Sequence, residues 1–276
     1  VHSHDTGSVA TLPPMPLAHA AVQAIVEEVA LEGVPGRDPD RDPGAALWAA
    51  KSSLPGFEAM AAAARRVGEP TQELREELGA IGRSTEWTAT RASCGVRIHR
   101  GATWAVGLLV AAAALEPHGD AHAILATAKR LAGFRDRRAP LRPSRGSTVS
   151  TTYGAAGARG EARAGFPHVK RALAALRTSR DAGAGEPVAR LDALLAIMSS
   201  LQDTTLLHAA GPPVLRLVQG SARDAVDAGG AGSPAGRDVL AALDAELRER
   251  GLTPSGSSSL LAGVFFVDAL LVPVPR

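Results

Sequence analysis

Three glycines spaced three apart, Gly154, Gly157 and Gly160, surround Arg159 and precede Glu161 near the middle of the chain. Glycine lets a backbone turn and approach a bound group with no Cβ in the way, and the guanidinium and carboxylate supply a fixed cation and a proton acceptor beside it. That combination suits the holding of an anion. His99 and Arg100 precede Gly101 at the start of an apolar run, where the free N–H groups of a helix's first turn also favour an anion. A helix cap with an exposed arginine has the same sequence.

Thr204 and His208 stand four apart with Asp203 beside them, so they share one face of an unbroken helix and could take a proton from a hydroxyl or hold a metal. An Asp-Thr pair at a helix end is equally a plain N-cap. Glu86 lies on a helix otherwise lined by Leu78, Ile81 and Trp87, either as a site carboxylate or as an exposed one. Ser257 belongs to the Gly/Ser turn 255–259 before the last apolar run, which could cradle phosphate or only cap the helix. His118 and His122 have metal-ligand spacing, but Gly119 and Asp120 between them read as a turn and a helix start. No Gly-Lys pair, H-E-x-x-H or G-x-S-x-G occurs, so the common nucleotide-loop, metalloprotease and hydrolase signatures are missing.

The elements that must position these residues are helices. Hydrophobic residues make up 45% of the chain, aromatics only 3%, and alanine is abundant while β-branched runs are scarce, which predicts an all-α, multi-helix bundle. Apolar positions at helical period, bounded by Gly and Pro, predict helices over 17–31, 45–66, 71–92, 100–115, 120–131, 161–177, 187–208, 213–228, 236–250 and 257–271. Residues 1–16 read as a flexible tail, and 17–276 as one helical domain. Two segments resist regular structure. The loop 33–44 is dense in proline, glycine and aspartate and is either a linker or an active-site loop; 130–145 is rich in arginine with Asp136 its sole acid, either a solvated loop or a lid reaching for phosphate.

Composition excludes several classes. The net charge of +2 with interspersed signs gives no polyanion-binding face, so nucleic acid is not an expected partner. One cysteine, Cys94, allows neither an internal disulfide nor a cysteine zinc cluster. The apolar stretches 103–115 and 260–272 fall short of the roughly 20 residues a bilayer requires and read as buried helices. No basic, apolar, cleavable leader is apparent, so a cytoplasmic protein is expected, with a homodimer open.

The order of the blocks is familiar as well. Ile81-Gly82 with Glu86, then CGVRIHRGATWAVGLL (94–109), TYGAAGARGEARAGFP (152–167), LLAIMSSLQDTTLLHAAG (194–211) and LTPSGSSSLLA (252–262) resemble the triphosphoribosyl-dephospho-CoA synthase family. The resemblance implies a transferase in which a hydroxyl of dephospho-CoA attacks C1′ of ATP's ribose and displaces adenine, with Mg²⁺ accompanying ATP and no prosthetic group. Such chemistry needs a base, an acid for adenine and cations on the triphosphate. The residues available are Glu86, His99, Glu161, Asp203 and His208 for catalysis, and Arg100, Gly157, Arg159, Gly160, Thr204 and Ser257 for substrate and phosphate, with any metal ligand unknown. The match is incomplete. Val34, Pro39, Asp42, Ala46 and Trp48 stand where the family pattern has Lys, Asp, Asn, His and Asp, and Ser259 replaces an Asp. These departures point to a divergent member with an altered acceptor, or to a scaffold repurposed for a cyclase or lyase reaction or for binding alone.

Overall fold

Alanine, leucine and valine occupy residues 102–114 on every side rather than along one stripe, so the helix they form belongs in an interior. In the computed structural model, which describes residues 16–37, 42–94, 100–140 and 145–271, that helix is α5 (Arg100–Leu115), with Val106, Leu109 and Val110 fully buried. The other helices are α1 (Leu17–Ala30), α2 (Pro43–Ser52), α3 (Leu54–Val67), α4 (Gln72–Ala92), α6 (Ala121–Gly133), α7 (Arg145–Tyr153), α8 (Gly157–Arg163), α9 (Pro167–Asp181), α10 (Glu186–Met198), α11 (Thr204–Asp227), α12 (Pro234–Glu249) and α13 (Ser255–Leu271). The described residues contain no strand, so the fold is all-α.

Helix α13, the second apolar run, lies against α5 and buries Phe266 and Val267 completely. Burying such a phenylalanine contributes roughly 1.5–3 kcal/mol, and this pair forms the centre on which the remaining helices pack. Helices α1, α3, α4, α6 and α8 touch α5, while α1, α9, α10 and α11 touch α13. No helix among the described residues is long and apolar enough to cross a membrane.

Local signals set most helix ends. Asp42, Thr71, Asp120 and Ser233 cap α2, α4, α6 and α12 by accepting a backbone N–H in the first turn, and Gly68 closes α3 in the left-handed region at φ 80°. Three predicted helices are broken. The span 45–66 divides at Ser53, because Pro55 has no N–H to continue a ladder. The span 161–177 divides at Phe166, which precedes Pro167 and is held at φ 56° with its side chain fully buried. The span 187–208 ends at Met198, and Asp203 starts a new helix. Helix α11 is itself kinked at Gly211, φ 72° and ψ −174°, just before Pro212 and Pro213, which is the gap expected between 208 and 213.

The two irregular segments are partly resolved into order. Arg37 donates to the carbonyls of Glu28, Val29 and Leu31 and pairs with the buried Glu28 carboxylate, thereby closing the C-terminus of α1. Gly36 N–H donates to Asp244 Oδ1 at 2.8 Å, and its carbonyl accepts from Thr253 at 2.7 Å, so this part of 33–44 is tied to α12 and the turn beyond. In 130–145, α6 runs on to Gly133 and α7 begins at Arg145, which leaves a shorter connection than the sequence suggests.

Candidate functional site

Asp203 precedes a helix with no apolar residue until Leu206, so its carboxylate is placed to cap it. Its Oδ1 accepts the Thr205 N–H at 2.9 Å. Its Oδ2 reaches another helix, accepting the Ser257 N–H at 2.9 Å and the Ser257 hydroxyl at 3.2 Å. One buried carboxylate therefore joins the starts of α11 and α13. Burial pushes the Asp203 carboxyl up from its ordinary value, against the downward pull of the Ser257, Thr205 and Leu206 backbone N–H groups.

The other segments meet at the same junction. A Cβ on Gly256 would stand 2.7 Å from Asp203 Oδ1, and one on Gly101 would stand 2.5 Å from Ser259 Oγ, so the start of α5 adjoins the start of α13. A Cβ on Gly157 would stand 3.2 Å from Thr204 Cγ2, and the Ala156 N–H donates to Gln202 Oε1 at 3.3 Å. The glycine-rich segment, Asp203-Thr204, Ser257 and the helix start at Arg100 are thus contiguous. Three long helices, α5, α11 and α13, direct their N-termini there, where unsatisfied N–H groups and helix dipoles favour negative charge. His99 lies outside the described residues, and of Arg100 only the backbone is described.

Glu161 is buried on α8, and its carboxylate spans the break before α9. Oε1 accepts the His168 N–H at 2.8 Å and Oε2 lies 2.7 Å from His168 Nδ1, fixing the imidazole. His168 was not selected from the sequence, because seven residues across a helix break form no periodic or motif signal. Arg159 is exposed and Gly160 half-buried on the same short helix; Glu86 is half-buried on α4, and His208 is exposed one turn after Thr204 on α11.

Sequence reading named Arg159 but missed the arginines near it. Arg75 and Arg83 on α4 meet Asp136 from the connection after α6, and Arg159 and Arg163 on α8 lie near enough for their charges to act on Arg75. Gly79, midway between Arg75 and Arg83, admits the aspartate: a Cβ there would lie 2.1 Å from Asp136 Oδ2.

The described residues within 34–48 that the sequence reading sets apart from the resembled pattern do not gather at the junction. Val34 and Ala46 are buried in the core, at 2% and 1% exposure, and Trp48 is 68% exposed on α2. The indole therefore stands in solvent. Pro39 lies outside the described residues, and Asp42 is the N-cap of α2. His118 and His122 straddle the turn and first helical turn at Asp120. Among the described residues no group of three His, Cys, Asp or Glu is arranged to hold a metal. A cavity of about 380 Å³ lined by Pro16, His19, Val22, Gln23, Lys51 and Leu54 opens between α1, α2 and α3 and contains none of the residues above.

Comparison with known proteins identifies the family. Residues 14–275 match the CitG family, described as ATP:dephospho-CoA triphosphoribosyl transferase. A protein of Stutzerimonas stutzeri named probable 2-(5''-triphosphoribosyl)-3'-dephosphocoenzyme-A synthase is 48% identical, covering 92% of this chain and 91% of its own. Proteins of the same name from Azotobacter vinelandii and Pseudomonas aeruginosa are each 45% identical, the first covering 95% of both chains and the second 92% of this chain and 90% of its own. No solved structure matches. With the glycine-rich segment, the Asp203 junction and the helix starts in one place, and the match running over nearly the whole length, the chain belongs to the ATP:dephospho-CoA triphosphoribosyl transferase family.

Proposed function

We propose that this chain transfers the triphosphoribosyl group of ATP to a hydroxyl of 3′-dephospho-CoA and releases adenine. The observation that carries this reading is the junction at which α5, α11 and α13 present their N-termini beside the glycine-rich segment with Arg159. In the transfer, an acceptor oxygen bonds to C1′ of the ribose as the bond from C1′ to N9 of adenine breaks. The hydroxyl proton passes to a base, and adenine is protonated as it leaves. The helix N-termini and arginines supply fixed positive potential for the triphosphate, and Mg²⁺, which prefers phosphate oxygens and water, is carried on ATP.

Asp203 and Glu161 are positioning residues in this scheme, because both oxygens of each already accept hydrogen bonds within the protein. Glu86 and His208, which reach solvent, are the proton-transfer candidates on described elements. Glu161 orients His168 through Nδ1, which leaves Nε2 as the ring atom for exchange with a ligand.

A second reading, an acceptor other than dephospho-CoA, starts from Val34, Ala46 and Trp48, which can neither bind a metal nor transfer a proton as Lys, His and Asp can. Their packing gives it no direct support, since Val34 and Ala46 are buried in the core and Trp48 stands in solvent. Following adenine release from ATP and Mg²⁺ with and without dephospho-CoA decides between them. Turnover dependent on both substrates supports the parent reaction; release only with another hydroxyl acceptor supports the second; no release with any acceptor refutes the transferase reading.

A further inference from the structure

We infer that Arg75, Arg83, Arg159 and Arg163 form a subsite for a condensed phosphate chain, with Asp136 as the tether that holds the arginines in register. This rests on the transferase reading above and extends it to Arg75, Arg83 and Arg163, which no motif in the sequence singled out. The cluster begins with a stripe on α4, where Arg75, Gly79 and Arg83 follow one another at four-residue intervals and so share a face. Asp136 enters this stripe over Gly79, with Oδ2 2.7 Å from an Arg83 nitrogen and 4.0 Å from an Arg75 nitrogen. Its other oxygen accepts the Arg138 N–H at 3.0 Å, which leaves little of the carboxylate for further cations.

Charge at this place is unbalanced. Arg75 is 8% exposed, and its Nε is buried with no hydrogen-bond partner among the described residues. Burial pushes its basicity down, Asp136 restores part of it, and Arg159, Arg83 and Arg163 push it down again. Arg75 and Arg83 therefore face one carboxylate, while Arg159 and Arg163 add like charge near Arg75. The nearby Glu76 does not correct this, since it is engaged by Gln72, Arg137 and Arg138. Arg163 donates to the Ala132 carbonyl at 3.2 Å, and Arg159, exposed, makes no hydrogen bond or ion pair among the described residues. A group of planar cations with uncommitted donors matches phosphate oxygens, which accept bidentate, charge-assisted bonds. A cluster serving only to anchor the Asp136 connection would need Arg83 and Arg75 but not Arg159. Helix α8 also links the two places, since its first residue, Gly157, lies against Thr204 at the junction and Arg159 and Arg163 follow on the same helix.

Two substrate groups share this chemistry: the triphosphate of ATP and the diphosphate of dephospho-CoA. The triphosphate carries the greater charge and suits four arginines better. Titrating the full chain with inorganic tripolyphosphate by calorimetry tests the subsite directly, with steady-state KM values for ATP and dephospho-CoA as the second arm. We expect wild type to bind tripolyphosphate more tightly than orthophosphate, and Arg83→Met and Arg159→Ala each to weaken it by roughly tenfold or more, the loss of one or two charge-assisted bonds. Arg159→Ala keeps the test valid should the α4 variant misfold, because that side chain is exposed. A raised KM for ATP assigns the triphosphate, and a raised KM for dephospho-CoA assigns the diphosphate. Wild-type binding that Arg159→Ala leaves unchanged, or no binding of tripolyphosphate at all, overturns the subsite even where adenine release is robust. Arginine-dependent binding without adenine release keeps the subsite and rejects the transferase reading instead.

Discussion

Replacing Asp203 by Asn opposes two effects of known sign. The carboxylate accepts a backbone N–H on each oxygen, at Thr205 and at Ser257, and the Ser257 hydroxyl as well. An amide has one acceptor oxygen, so one of those N–H groups must face an NH₂; leaving a buried donor unsatisfied costs about 1–3 kcal/mol. Asparagine caps a helix as well as aspartate does, so the α11 end is retained if the oxygen turns to Thr205. In the other direction, the variant removes a charge from a buried place. The folded Asp203 pKa lies above its ordinary 3.8, because desolvation outweighs the hydrogen bonds. Its contribution to stability is therefore full below that value and is lost as pH rises through the folded pKa, whereas Asp203→Asn has no such dependence. We expect the variant to be less stable than wild type by about 1–3 kcal/mol near pH 4, and the gap to narrow as pH rises to 7. Adenine release should fall by tenfold or more, on the order expected when a site's positioning contact shifts by about 1 Å. Thermal or urea unfolding of both proteins from pH 4 to pH 8, beside the adenine assay, measures each part. A gap that widens with pH would refute the reasoning, since it would show the helix N-termini stabilising the charge by more than burial penalises it.

Gly79→Ala should destabilise the protein by about 2 kcal/mol or more in urea unfolding, because ejecting Asp136 from between Arg75 and Arg83 breaks a buried charge pair worth about 3–5 kcal/mol while the helix gains only about 1. Glu186 is held down at about 2 by its hydrogen bonds to Arg180 and Arg190, so its share of stability is present above the ordinary carboxylate range and disappears as pH falls from 4.5 toward 2. Glu186→Gln should therefore flatten the acid limb of a melting-temperature profile. Trp48→Ala should alter folding stability by no more than about 0.5 kcal/mol, as is usual for an exposed side chain, and a changed KM for the acceptor in that variant would place the indole in substrate contact.

The helices could be read from the sequence because their signals are written in neighbouring residues. Alanine-rich periodic runs, Asp and Thr caps and terminal glycines act within one helical turn, and the expectation of an anion site likewise came from glycines and Arg159 that are close along the chain. The all-round apolar runs of α5 and α13 likewise announced that these two helices are the interior. Tertiary structure alone decided who meets whom. Asp203 and Ser257 are 54 positions apart, and Arg83 and Asp136 are 53, so no local spacing could reveal that one carboxylate joins two helix starts or that another lies between two arginines. The break at Phe166 is a similar case: a buried ring in the left-handed region is held there by the surrounding core, and the turn it makes brings His168 onto Glu161. Helix ends depend on interactions a few residues long, whereas burial of Asp203, Glu161 and Arg75 depends on packing among helices distant in sequence.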